Sequence, residues 1–158
     1  MRLAVLRDRG TAEGELGSMT LDELVAVTST HEEGHLVDRG RFLPLGRNLG
    51  GVFGLLASGD FTPWGVQRQL EYRAQLVALG GCEARGMPLS DVLRSSDSGV
   101  GGGLPHSSAY GKLLSDLIDE LDRALIAEPG AWPELDPDRT LVHQLHHLAA
   151  ERVREDRA

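Results

Sequence analysis

The chain has 158 residues, of which 41% are hydrophobic and 25% are charged, and this composition is typical of one globular domain with a modest core. Sixteen basic and twenty-four acidic side chains give a net charge of −8. This charge argues against nucleic acid or an anionic membrane as a partner, although a local basic patch remains compatible with it. No apolar run approaches the roughly 20 residues that cross a bilayer. We therefore expect one cytoplasmic domain over residues 1–158, without a nucleic-acid or membrane partner.

The first predicted elements are a short strand and a long helix. Residues Arg2–Leu6 are the only segment with the character of a strand. Thr20 and Glu23 form the pattern of a capping box, which predicts a helix over Leu21–Arg39. The stretch Pro44–Ser58 is apolar but carries four glycines, so we predict a short helix or an irregular segment there. The apolar positions of the first helix are Leu21, Leu24, Val25, Thr28, Leu36 and Phe42.

The remaining predicted elements are helices joined by glycine-rich segments. A second long helix is predicted over Pro63–Leu79, because a Thr-Pro pair supplies its N-cap and first residue and a Gly-Gly pair follows it. We expect one or two helical turns over Pro88–Ser95 and a loop over Ser98–Gly103. Amphipathic periodicity predicts further helices over Ser108–Ala127 and Asp136–Arg154. The predicted fold is mainly α-helical with at most one N-terminal strand. The buried face predicted for the second helix comprises Val66, Leu70, Ala74 and Val77.

Residues 31–35 spell His-Glu-Glu-Gly-His, the HExxH pattern, inside the first predicted helix. The i, i+4 spacing places both imidazoles on one helix face, where they can converge on one cation. In such sites the carboxylate after the first histidine, here Glu32, lies beside a metal-bound water and does not bind the metal itself. Zinc lowers the pKa of that water to about 7, and Glu32 can take its proton during attack on a carbonyl carbon.

A hydrolytic zinc site needs a third protein ligand, and the only cysteine, Cys82, offers no cysteine-based zinc site. Glu71 lies midway along the second predicted helix, on a polar stripe beside the apolar face. A carboxylate near a buried face usually has a partner, and a cation held by the first helix would be one. Two alternatives remain open. Glu71 could be a surface carboxylate paired with a neighbouring arginine, or His146 or His147 could supply the third ligand.

An HExxH helix followed by a helix that contributes a glutamate resembles the gluzincin branch of zinc metallopeptidases. At this small size the chain is most similar to the minigluzincins. The resemblance covers about residues 21–79, which implies a zincin-like core over about 20–80 followed by a helical C-terminal part over about 105–155. It implies a Zn²⁺ cofactor held by His31, His35 and Glu71, with Glu32 as the general base and a peptide or protein as the substrate.

The chain departs from the family's pattern in two places. Where the family often has Glu-x-x-x-Asp, this chain has Gln75 after Glu71, so we expect Asp38 to accept the ring N–H of His35 instead. Gluzincins also place a β-sheet before the HExxH helix, whereas about nineteen residues precede it here. The chain is therefore a fragment of a longer protein, or forms its substrate groove differently, or keeps a metal site without peptidase activity.

Stabilisation of a developing oxyanion requires a hydrogen-bond donor besides the metal. His106 and Tyr110, which follow the glycine-rich loop, are the predicted donors, and Tyr72 is a less favoured one. The sequence thus predicts a zinc-dependent hydrolase, most plausibly a peptidase. The alternative is a non-catalytic helical module that uses zinc structurally or binds a protein partner.

Overall fold

The computed structural model describes residues 20–82, 86–97 and 104–128, together with residues 130, 132, 133, 135, 140–142, 144 and 145. Within these residues the protein is mainly α-helical and contains no strand, as the sequence predicts. None of the described helices is both long and apolar enough to cross a membrane. The elements are α1 (Leu21–Phe42), a 3₁₀ turn (Leu45–Arg47), α2 (Leu49–Ser58), α3 (Pro63–Gly81), α4 (Gly86–Asp97) and α5 (Pro105–Ala127).

The N-terminal ends of the two longest predicted helices follow from local hydrogen bonds. In α1 the Glu23 backbone N–H donates to Thr20 Oγ1 over 3.2 Å, and the Thr20 backbone N–H donates to Glu23 Oε2 over 2.7 Å, which completes the capping box. In α3 the Gly65 backbone N–H donates to Thr62 Oγ1 over 2.9 Å, and Pro63 occupies the first helical position. Both predicted helix starts are therefore confirmed.

The other predicted elements are partly confirmed. The predicted stretch 44–58 forms the 3₁₀ turn and α2, while α4 exceeds the predicted 88–95 by two residues at each end. Helix α5 begins at Pro105 rather than Ser108, because proline is well tolerated at the first helical position. The predicted strand, the glycine-rich loop and most of the last predicted helix lie outside the described residues.

Helix α3 lies at the centre of the described fold and packs against α1 on one side and α5 on the other, while α4 packs against α5. One apolar cluster joins α4 to α5 and is covered by side chains of α3. A second cluster joins α4 to Leu145, one of the described residues near the C-terminus. The buried members of the first cluster are Val92, Ala109, Tyr110 and Leu113.

The buried residues of α1 are not among its apolar positions. Leu21, Val25 and Leu36 are exposed, whereas Gly34 and Asp38 are the buried residues of this helix. These apolar side chains are exposed because the face toward α3 carries His31 and His35, whose polar groups have partners on α3. On α3, Ala74 is fully buried as predicted, but Val77 is exposed.

Two contacts set the distance between α1 and α3. Gly34 lies so close to α3 that a Cβ atom there would be 2.7 Å from the Cα atom of Ala74. One turn later the buried Asp38 carboxylate accepts from Arg73 Nε at 2.8 and 2.9 Å and from the terminal guanidinium nitrogen at 2.6 Å. Asp38 therefore pairs with Arg73 and not with His35 as expected, because a bidentate guanidinium is the stronger partner for a buried carboxylate.

The close contact at Gly34 predicts opposite effects for two substitutions in the same helix. We expect Gly34→Ala to lower the free energy of unfolding by about 1–3 kcal/mol, because α1 must move away from α3. Gly40→Ala is the matched control, since a Cβ atom at Gly40 meets nothing within 4 Å. That substitution should raise the free energy of unfolding by about 0.5–1 kcal/mol through helix propensity. Urea denaturation followed by circular dichroism measures both, and equal effects would contradict the prediction.

Candidate metal centre

His31, His35 and Glu71 converge between α1 and α3. The spacing of one helical turn sets the two imidazole centroids 5.0 Å apart, at an interplanar angle of 82°. Glu71 projects from α3 toward both rings: its Oε2 lies 3.6 Å from His31 Nε2 and its Oε1 lies 3.8 Å from His35 Nε2. All three side chains are partly buried. The close approach of the helices at Gly34 brings the carboxylate within reach of the histidines.

This donor set fits a zinc ion chemically. One ligand atom from each of the three residues lies within 4.8 Å of the other two. Ligands about 2.0 Å from a tetrahedral zinc ion are about 3.3 Å apart, so small side-chain rotations bring these atoms to bonding positions. Two imidazoles and a carboxylate match the ligand set of hydrolytic zinc sites, in which the fourth position remains open.

Gln75, one turn after Glu71 on α3, contacts the ring nitrogen of His31 that does not face Glu71. Its Oε1 lies 3.0 Å from His31 Nδ1 and accepts from the Tyr110 hydroxyl over 2.7 Å, while its Nε2 donates to the Pro88 carbonyl over 3.0 Å. The Pro88 carbonyl can only accept, so the amide nitrogen must face it and the amide oxygen must face His31. Gln75 is buried, which holds this orientation.

The acceptor at Gln75 determines which nitrogen of His31 carries the proton. Because Oε1 can only accept, Nδ1 of His31 must donate, and the lone pair of the neutral ring then lies on Nε2, facing Glu71. A ligand histidine usually has such a partner for its other ring nitrogen. This role of Gln75 was not predicted from the sequence. Its spacing of one turn from Glu71 was the available signal, but an amide in place of the expected carboxylate concealed it.

We expect Gln75→Leu to weaken zinc binding by about 10–100-fold, because His31 loses the acceptor that orients its ring. Competition with a chromophoric chelator measures the zinc affinity of the purified protein. Gln67→Leu is the matched control, since Gln67 is exposed on the same helix. Equal zinc affinities of the two variants would contradict a supporting role for Gln75.

His106, at the start of α5, completes the polar surroundings of Glu71. Its Nδ1 lies 3.0 Å from Glu71 Oε2, and its ring centroid lies 6.2 Å from that of His31. Hydrogen bonds from His106 and then from His31 hold the pKa of the Glu71 carboxyl far below its usual range. The hydrogen bond to Glu71, which outweighs desolvation, raises the pKa of His31. In the metal-free protein Glu71 is therefore an anion beside an imidazole that protonates readily.

These two pKa shifts predict the pH dependence of the metal-free protein. Glu71, whose pKa is lowered, stabilises the fold above its ordinary pKa and loses this contribution as the pH falls. His31, whose pKa is raised, stabilises the fold below its ordinary pKa and loses this contribution as the pH rises through the higher value. We expect the melting temperature in EDTA to peak at about pH 5–6, between the two ordinary values. In Glu71→Gln the decline on the alkaline side should become smaller, because the hydrogen bond to Glu71 is the largest cause that raises the pKa of His31, and an unchanged decline would contradict this origin.

The donor atoms open onto a cavity of about 530 Å³. Glu32 lines this cavity from α1 and is itself exposed, so its carboxylate can reach a molecule bound there. The cavity is thus lined by the six residues predicted as metal ligands, general base and favoured oxyanion donors, whereas Tyr72 does not line it. The six are His31, Glu32, His35, Glu71, His106 and Tyr110.

Asp91 on α4 is a cavity residue that the sequence analysis missed. It keeps contact with solvent through the cavity, yet the surrounding protein removes enough hydration to raise the pKa of its carboxyl. Burial likewise raises the pKa of the Tyr110 hydroxyl, and the charge of Asp91 raises it further. The sequence signal for Asp91 was its position directly before two apolar residues, Val92 and Leu93, which are buried.

The structure gives the other predicted residues different contacts. The Tyr110 hydroxyl donates to Gln75 Oε1, the atom that also contacts His31 Nδ1. The role of Tyr110 as an oxyanion donor stays a prediction. The Tyr72 hydroxyl donates to Asp116 over 2.8 Å; burial and this contact raise the pKa of Tyr72 to about 12. Cys82 is a buried free thiol. His146 and His147, the alternative third ligands, lie outside the described residues.

Comparison of the chain with protein-family models, curated proteins and solved structures found no match.

Proposed function

We propose that the protein is a zinc-dependent hydrolase of gluzincin-like type whose substrates are peptides or proteins. The observation that carries this proposal is the convergence of Glu71 from α3 with both histidines of the HExxH helix, at the edge of a cavity that Glu32 also lines. The histidines and Glu71 would hold the metal, and Glu32 would be the general base.

A zinc ion at these ligands would supply a Lewis acid and an acidified water. Glu32, one residue after the first ligand, accepts a proton within the cavity and can return it to a leaving amine. His106 lies on the cavity wall beside Glu71, to which its Nδ1–H donates, so its ring would donate to a developing oxyanion through Nε2 as an imidazolium. Gln75 keeps the Nε2 lone pair of His31 directed toward Glu71 and the metal position.

A structural zinc site is the second candidate, and the position of His106 favours it. Its Nδ1 lies 3.0 Å from Glu71 Oε2, although His106 is not among the donors that lie within 4.8 Å of one another, so it would have to move toward the two histidines to become a fourth ligand. Three histidines and one glutamate would close the coordination shell, and closed shells are typical of structural zinc. The protein would then be a non-catalytic helical module whose folding free energy includes that of metal binding.

His106→Ala distinguishes the two candidates when zinc affinity, peptide hydrolysis and melting temperature are measured together. The hydrolase proposal expects zinc affinity to fall by no more than about 10–100-fold, because His106 is then only a hydrogen-bond partner of the ligand Glu71. It also expects the variant to lose part of the turnover of a fluorogenic peptide library. The structural candidate expects zinc affinity to fall as steeply as in His35→Ala, with no hydrolysis by either protein. Wild-type protein that binds zinc without cleaving any peptide, and melts far lower in chelator, would overturn the hydrolase proposal.

A further inference from the structure

The cavity beside the converging donors carries a carboxylate that the proposed hydrolysis does not use. Among the described residues that line this cavity, three are acidic, namely Glu32, Glu71 and Asp91, and none is a lysine or an arginine. Glu71 would bind the metal and Glu32 would be the base, whereas Asp91 has neither role. Asp91 is exposed, so its carboxylate is available to a molecule bound in the cavity.

The packing of α4 fixes the position of Asp91. The two residues that follow it, Val92 and Leu93, are buried and belong to different apolar clusters. The cluster that contains Val92 also contains Tyr110 of α5, which lines the same cavity. Side chains on packed helices are positioned more precisely than side chains on loops. The Asp91 carboxylate is therefore a preformed part of the cavity wall.

The Asp91 carboxylate is partly desolvated, and the described part of the chain supplies no cation to pair with it. Burial is the largest effect on the pKa of Asp91 and raises it. No lysine or arginine of the described residues forms an ion pair with Asp91. Arg94, one turn further along α4, has the weakest effect on this pKa and does not line the cavity. A carboxylate that loses water without gaining a partner costs free energy.

The polar neighbours of Asp91 in the cavity are directed elsewhere. His106 Nδ1 and His31 Nε2 lie 3.0 and 3.6 Å from Glu71 Oε2, and these two histidines act on Asp91 only through their charge. The Tyr110 hydroxyl also interacts with Asp91, but its single proton forms the 2.7 Å hydrogen bond to Gln75 Oε1. A carboxylate has about four acceptor sites, so Asp91 keeps acceptor capacity toward the cavity.

We propose that Asp91 determines substrate specificity by binding a cationic group of the peptide, an inference that rests on the proposed function. An ammonium or guanidinium group would replace the lost water through charge-assisted hydrogen bonds. A neutral group would leave the carboxylate desolvated and unpaired, which disfavours its binding. The cation is either the amino terminus of the peptide or the side chain of a lysine or arginine. A cavity of about 530 Å³ has room for either group with the adjoining peptide.

The binding of uncleaved peptides tests this proposal without depending on hydrolysis. The Glu32→Gln variant, in excess zinc, is compared with the same variant carrying Asp91→Asn, by fluorescence anisotropy of hexapeptides labelled at the C-terminus. The first peptide has a neutral sequence and a free amino terminus, and the second is its acetylated form. The others are acetylated and carry one lysine, at each position in turn. We expect at least one cationic peptide to bind at least about 10-fold tighter than the acetylated neutral peptide.

Asp91→Asn should remove this preference. It should weaken binding of the preferred cationic peptide at least about 10-fold and change binding of the neutral peptide less than about twofold. Asp122→Asn is the matched control and should keep the preference, because Asp122 is an exposed carboxylate on α5 that does not line the cavity. A preference for the free amino terminus would identify that group as the cation, and a preference for a lysine peptide would identify a basic side chain.

Four outcomes would overturn the proposal: no binding of any peptide, equal affinities for cationic and neutral peptides, a preference that persists in Asp91→Asn, or equal weakening of all peptides by Asp91→Asn. The last outcome would show that Asp91 acts through its neighbours and not on the substrate. Turnover by the wild-type protein tests the proposed function separately. Hydrolysis without a preference for cationic peptides would refute only the role of Asp91, and a preference without hydrolysis would refute only the hydrolase proposal.

Discussion

Zinc affinity is expected to fall at least about 100-fold when Glu71 is replaced by glutamine. Loss of a second-sphere partner alone costs about 10–100-fold, and loss of a charged ligand costs more. Glu71 supplies the only carboxylate among the three converging donors, and its neighbours already hold it ionised. The wild-type protein should bind about one zinc ion per chain, measured by elemental analysis and by chelator competition.

Asp116→Asn is the matched control for Glu71→Gln. Asp116 is a carboxylate on α5 that accepts from Tyr72 and Lys112, and it does not line the cavity. Its replacement should leave zinc affinity within about threefold of the wild-type value, as expected for a substitution outside the metal's surroundings. His31→Ala should resemble Glu71→Gln. Unchanged zinc affinity in Glu71→Gln would contradict the proposed ligand set and direct attention to the C-terminal histidines, His146 and His147.

Glu32→Gln should lower peptide hydrolysis by about 10²–10⁴-fold while the zinc content stays near one per chain. The glutamine side chain keeps the size of the glutamate and one accepting oxygen, but its NH₂ group donates instead of accepting and it cannot take up a proton. Zinc should remain, because Glu32 lines the cavity without belonging to the converging donors. The measurement is turnover of a fluorogenic peptide library at saturating zinc, with elemental analysis of the same sample.

Glu33→Gln provides the matched control for this substitution. Glu33 is the next residue of the same helical turn, is exposed, and is not among the residues that line the cavity. Activity of Glu33→Gln near the wild-type value, with nearly complete loss in Glu32→Gln, would identify one carboxylate as the base. Equal activities of the two variants would refute the assignment of Glu32. Loss of zinc from Glu32→Gln would show that this residue holds the metal.

The site combines a sequence-local part with a part that depends on tertiary structure. The shared face of His31 and His35 follows from helix geometry alone, so sequence sufficed to predict it. The contacts of Glu71 with both rings depend on how closely α1 and α3 approach, which is set by Gly34 against Ala74 and by the Asp38–Arg73 pair. Neither contact has a sequence signal, because the partners are 40 and 35 residues apart.

The inward face of α1 shows why hydrophobic periodicity was insufficient. Periodicity identifies a core face only where apolar packing covers that face. On α1 the face toward α3 carries two histidines and a buried aspartate, and their partners Gln75, Glu71 and Arg73 all come from α3. Two leucines of α1, Leu21 and Leu36, are exposed instead. A polar interface of this kind can be recognised only when both helices are seen together.

The sequence by itself determined the mainly helical character of the chain, the starts of α1 and α3, and the pairing of two imidazoles on one helix face. These features depend on hydrogen bonds and spacings within a few residues, which any folded context preserves. Tertiary structure alone decided that Glu71 lies beside those imidazoles, that Gln75 orients His31, and that Asp91 lines the same cavity. Each of these depends on the distance and rotation between helices, which many side-chain contacts set together and no short pattern encodes.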